Sequence, residues 1–149
     1  MTVLAAVDET IDHAPQITVA HDLAKQYNDR LDIVHVIPQD EADSHLRELR
    51  QFDQFSDFSI DQEKQSAAQI AERVVQATID EDSSVLVSGV GRVGDPAETI
   101  LEVADDRDPR YLVIGGSRRS PTGKAIFGST TQSVLLQTNH PVVVAPMDG

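Results

Sequence analysis

Between Leu112 and Thr131 the chain reads LVIGGSRRSPTGKAIFGSTT. A glycine pair, Gly115-Gly116, closes a short apolar run. Arg118, Arg119 and Lys124 follow, and then Gly128-Ser129-Thr130-Thr131 opens a segment with helical spacing. Strand, glycine turn, basic loop, then glycine and hydroxyls at a helix start is an arrangement suited to an anion. Free backbone N–H groups at a helix N-terminus point outward, and the helix dipole favours negative charge there. The concentration of positive charge is notable because the whole chain carries a formal charge of −13. A phosphate-bearing ligand is therefore the leading expectation.

Other patterns are weaker. Gly89-Val90-Gly91-Arg92-Val93-Gly94 matches G-x-G-x-x-G. A dinucleotide fingerprint belongs in the first strand-to-helix turn, with an acidic residue about 20 positions further at a strand end. Here it follows the third predicted strand, so it reads as a glycine-rich loop before a capped helix. Thr122-Gly123-Lys124 resembles part of a Walker A loop, but Arg118 and Ala125 stand where that motif needs glycine and a hydroxyl. The histidines, at 13, 21, 35, 45 and 140, lack paired metal-ligand spacing, and there is no cysteine. No metal site is predicted. His35 lies within a strand and reads as core. Ser88, Ser117 and Ser129 have no base signature beside them, so hydrolase chemistry has no positive support.

These residues need a frame to hold them. Apolar runs alternate with amphipathic stretches along the chain, which predicts a doubly wound, five-stranded parallel sheet with helices on both faces, a Rossmann-like α/β fold. Predicted strands are Val3–Val7, Leu31–Ile37 stopped by Pro38, Val85–Gly89, Tyr111–Gly115 and Val142–Ala145. Helical periodicity covers Ile11–Tyr27, with Ile17, Ala20, His21 and Ala24 on one face, and Ser59–Ile79. Asp95-Pro96 starts a further helix, with Asp as cap and Pro in the first turn. The last helix is predicted over Thr130–Gln137. The segment 39–58 is acidic, with a short helix expected around Asp43–Arg50 and Phe52, Phe55 and Phe58 at a spacing suited to packing on the body or on a partner. In such sheets ligands bind beyond the carboxyl ends of the strands, where strand order reverses. Asp8, Val36, Gly89–Gly94 and Gly115–Lys124 all fall at or just past those ends, so they are expected to converge on one crevice.

Composition narrows the class. The 149 residues are predicted to form one domain, 1–149, with a real core. The 25 acidic residues outnumber the 12 basic ones, so nucleic acid and anionic membrane are disfavoured partners. Scarce lysine and dispersed carboxylates suit a high-salt cytosol, where salt screens self-repulsion. The start, MTVLAAVDE, lacks the features of a signal peptide, and a cytoplasmic location is expected.

The sequence resembles the universal stress protein family. The resemblance rests on VLAAVDET at the start, IVHVI in the second strand, Gly94-Asp95-Pro96 before a helix and HPVVVAP at the end. It also rests on the family's nucleotide pattern of Gly, two residues, Gly, nine residues, Gly and then Ser or Thr. Counted back from Gly128-Ser129, the first glycine is Gly115, and the second position holds Arg118. The resemblance implies an adenine-nucleotide-binding fold, a homodimer paired through the last strand, and a role in stress survival without established catalysis. By position it implies Asp8 beside ribose and adenine, the Val36 backbone at the adenine edge, Gly115 at the phosphate turn, and Gly128, Ser129 and Thr130 donating to phosphates. ATP and Mg²⁺ are the implied cofactors. Arg118 either crowds the phosphate where glycine would let the backbone approach, or grips it through a bidentate guanidinium. The alternative expectation is a nucleotide-independent homodimeric interaction module acting on protein partners. Slow ATP hydrolysis, with Asp8 or Asp95 near Mg²⁺, is a third and weaker one, since no residue is placed to activate water.

Overall fold

The computed structural model describes residues 1–7, 14–50, 60–78, 84–119 and 125–146. Within them the elements run β1 (Thr2–Val7), α1 (Pro15–Tyr27), β2 (Arg30–Pro38), α2 (Gln39–Arg50), α3 (Ile60–Thr78), β3 (Val87–Gly94), α4 (Pro96–Arg107), β4 (Tyr111–Arg119), β5 (Ala125–Phe127), α5 (Ser129–Gln137) and β6 (Val142–Pro146). Five strands are parallel, in the order β3-β2-β1-β4-β6. The doubly wound expectation holds, and β5 adds a short antiparallel partner at the far end of β4.

The period of two along β1 explains the two cores. Val3, Ala5 and Val7 turn to one face and pack with Leu31 and Ile33 of β2, Ile17, Ala20 and Ala24 of α1 and Ala71 of α3. Leu4 and Ala6 turn to the other, with Val34 and Val36 of β2, Ile100 and Val103 of α4 and Val134 of α5. Both faces of the central strands are buried, as expected of parallel strands covered by helices.

Helix α1 starts at Pro15, with Ala14 as its cap, and not at Ile11, and three further boundaries differ from the sequence reading. The strand predicted to end at Gly89 instead runs from Val87 to Gly94, and its glycines are paired residue by residue with Ile33 to Pro38 of β2. The glycine-rich segment is thus edge strand, and the reason is packing. A Cβ on Gly91 would lie 1.8 Å from the Lys64 carbonyl oxygen, so only glycine lets α3 sit this close. Second, β4 does not stop at Gly115-Gly116. Its register with β6 shifts between Gly115 and Ser117, Gly116 takes φ +122°, and the strand continues to Arg119 against β5. Arg118 and Arg119 therefore belong to a strand rather than to a loop. A bulge absorbs the glycine without ending the strand. Third, α2 starts directly after Pro38 and spans twelve residues, longer than the short helix expected. Phe52, Phe55 and Phe58 lie outside the described residues.

Asp95 caps α4 as predicted. Its carboxylate accepts from the Glu98 backbone N–H at 3.0 Å, with Pro96 in the first turn. Among the described residues no helix is long and apolar enough to cross a membrane.

Candidate functional site

Strand order reverses between β1 and β4: β2 and β3 lie on one side of β1, and β4 and β6 on the other. A cleft of about 540 Å³ opens at the carboxyl ends of these strands. Its volume falls within the range of small-ligand sites. Ala6 and Val7 of β1, Val36 of β2, Ile114 to Gly116 of β4, Ile100 of α4 and Thr130 of α5 line it.

The β4 bulge is what brings α5 to this cleft. The Thr131 hydroxyl donates to the Gly115 carbonyl at 2.9 Å. A Cβ on Gly116 would come within 2.7 Å of the same hydroxyl, so the close contact needs glycine as well as its positive φ. This clasp docks the first turn of α5 against β4. The N-cap of α5 is Gly128, with no side-chain cap. Space around a Gly128 Cβ is open to 4 Å. The first backbone N–H groups of a helix have no partners within it, and the glycine at the cap position has no side chain to offer them one.

Two further side chains line the cleft, Gln16 at the start of α1 and His35 in β2. Both are more than nine-tenths buried. The Gln16 amide donates to the Ala6 carbonyl at 3.3 Å, and His35 Nδ1 lies 3.1 Å from the Val7 carbonyl. The free ends, Gln16 Oε1 and His35 Nε2, are buried without a hydrogen-bond partner. Leaving a buried polar atom unpaired costs about 1–3 kcal/mol.

Of the residues expected at the site, Val36, Gly115 and Thr130 line the cleft. Gly128 caps α5 and Ser129 begins it, both exposed. Arg118 pairs with Ile126 across β4 and β5. Asp8 and Lys124 lie outside the described residues. Gly89–Gly94 does not join the cleft, because α3 covers that strand. His35 is buried as expected, yet it also faces the cleft, and Gln16, Glu41 and Thr131 were not anticipated there. The available signals were faint: one histidine interrupting the apolar run LDIVHVIP, and a glutamine just after the proline that starts α1. Among the described residues no group of three or more His, Asp or Glu side chains is arranged to hold a metal ion.

Comparison with known proteins agrees with this fold. The model of the universal stress protein family matches residues 1–146. A universal stress protein of Mycolicibacterium smegmatis is 38% identical over 55 residues, a stretch spanning 37% of this chain and 42% of that relative. The solved structure of a universal stress protein from Archaeoglobus fulgidus superposes with a TM-score of 0.59 at 26% identity, covering 97% of this chain and 98% of the other. An Archaeoglobus fulgidus universal stress protein in complex with dAMP gives a TM-score of 0.52 at 22% identity, covering 97% of each chain. A universal stress protein in complex with cAMP gives 0.59 at 18% identity, covering 97% of this chain and 95% of that one.

Proposed function

The chain belongs to the universal stress protein family, and from that premise we propose that it is a stress-response regulator that binds an adenine nucleotide, ATP, at the carboxyl ends of its strands. The observation that carries the reading is the cleft at the switch point, bordered on one side by Thr130 and Thr131 in the first turn of α5, whose cap is Gly128. Base and ribose would occupy the apolar part between Val36 and Ile114, with Asp8 beside the ribose. The phosphates would meet the backbone of Gly115, Gly128, Ser129 and Thr130. Arg118, one strand residue beyond the bulge pair, would add a fixed positive charge to that end. Structural relatives bound to dAMP and cAMP support an adenine nucleotide as the ligand class. Mg²⁺ would enter with the phosphates, since a nucleotide-bound magnesium needs few protein ligands. Binding, rather than turnover, is the proposed activity. The acidic surface fits a halophilic cytoplasm.

The test is calorimetric titration of ATP with Mg²⁺ into the purified protein at molar KCl, after any co-purified nucleotide has been removed. Binding near micromolar, weakened about tenfold in Ser129→Ala, is the expected result. Absence of binding, or equal affinity in the variant, would refute the ligand or the site respectively.

A second reading, a nucleotide-independent homodimeric interaction module, draws on the other edge of the sheet. Among the described residues β6 pairs only with β4, and Leu136 of α5 is 78% exposed. An open apolar strand edge favours pairing with a second copy. Light scattering that finds only monomer at micromolar concentration would eliminate a dimer through β6.

A further inference from the structure

The lining of the cleft carries a feature that phosphate recognition does not use. A carbonyl oxygen only accepts hydrogen bonds, so the contact between His35 and the Val7 carbonyl requires the proton on Nδ1. In the neutral ring Nε2 is then a lone-pair acceptor. The same logic orients Gln16. Its NH₂ group faces the Ala6 carbonyl, which leaves Oε1 as an acceptor. Two side chains, on different elements, thus hook the last two carbonyls of β1 and present two acceptors without donors. Both residues line the cleft.

We propose that His35 and Gln16 are specificity-determining residues, a pair of buried acceptors that select a nucleoside through its hydrogen-bond donors. This rests on the nucleotide reading above and refines it. Phosphate oxygens cannot serve this wall, because they only accept. A base with a carbonyl in place of the exocyclic amine would set acceptor against acceptor. The donor groups of an adenine nucleoside are the exocyclic amine and the ribose hydroxyls, and either satisfies the chemistry. A ligand that brings the donor gains a bond that these atoms lack in the free protein, whereas one that brings an acceptor sets like against like.

The experiment compares ATP, ITP, 2′-deoxy-ATP and 3′-deoxy-ATP by titration into the wild-type protein, His35→Phe and Gln16→Leu. At least one analogue is expected to bind the wild type about tenfold more weakly than ATP, with the gap narrowing in a variant. A deficit for ITP identifies the amine as the donor, and a deficit for a deoxy analogue identifies the hydroxyl. In parallel, ¹⁵N imidazole spectra of the wild type are expected to show the His35 Nε2 resonance moving on saturation with ATP, a readout that does not depend on the variants folding. Equal affinity for all four nucleotides overturns the proposal, as does an Nε2 resonance that stays in place on saturation. Failure of every nucleotide to bind the wild type would instead overturn the nucleotide reading itself, and this inference with it.

Discussion

At the end of the sheet where the strands begin, buried charges are met by partners; at the end where the strands finish, the cleft wall holds polar atoms with none. Asp29, just before β2, is 2% exposed at its side chain and takes Arg110 at 2.7 Å and the N-terminal amino group at 3.3 Å. Asp32 takes Arg107 from the last turn of α4 at 2.7 Å. Its other oxygen has no hydrogen bond, but Arg30 stands 3.8 Å away. His140 Nε2 lies 3.1 Å from Asp105. Arg110 also stacks 4.3 Å from the Tyr27 ring centroid. The hydrogen bond from Arg110 holds the Asp29 carboxyl below its ordinary pKa, and the bond to Tyr27 pushes Tyr111 up. The cleft end instead leaves Gln16 Oε1 and His35 Nε2 buried and unpaired, and the start of α5 has only a glycine at its cap. Burial makes an unpaired group costly at either end. The closed end resolves that cost within the chain, and the open end does not.

If the ends are independent, damage to one should spare the other. The largest effect is expected for Asp29→Ala, which strips Arg110 and the N-terminus of their shared partner. A stability loss of about 2 kcal/mol should appear in the urea midpoint, with nucleotide affinity unchanged. A large fall in affinity would mean that the ends are coupled through β1. The same contact predicts a pH dependence. Because the folded pKa of Asp29 is lowered, its contribution is complete above its unfolded value of about 3.9 and is lost as pH falls through the folded pKa below it. The stability gap between wild type and Asp29→Ala should therefore close on acidification.

At the open end Gly128→Ala is expected to weaken ATP about tenfold, since its Cβ would enter the space beside the helix start, while the thermal midpoint stays put. A destabilised variant with intact affinity would reverse the assignment of that glycine. His140→Ala should cost less than about 1 kcal/mol, because Asp105 is 63% exposed and surface pairs contribute little. Smallest of all, Tyr27→Phe removes a 3.4 Å hydroxyl contact at an exposed position and should shift the urea midpoint by no more than about 0.5 kcal/mol.

Much of the frame was legible because its signals are local. Asp95-Pro96 marks a helix start wherever it occurs, and the apolar runs of β1 and β2 announce buried strands without a view of their neighbours. The glycines were the difficult residues. Gly91 and Gly116 look alike in sequence, but one makes room for the α3 backbone and the other turns a bulge beneath Thr131. Which of these a glycine does depends on what packs against it, and that is not written nearby. Arg118 shows the same difficulty, since a glycine pair that looked like a stop lets β4 continue past it.

The sequence by itself determined the alternation of strands and helices, the cap of α4, the acidic surface and the run from Gly115 to Thr131 that points to an anion. Each follows from neighbouring residues, their period, their charge or their backbone freedom. Only the tertiary structure decided that β1 and β4 flank the switch point and that α3 claims the glycines of β3. It also decided that His35, 28 residues from Val7, spends one ring nitrogen on that carbonyl and keeps the other unpaired. Those facts arise from contacts between distant segments, which form only when the sheet closes around its cores.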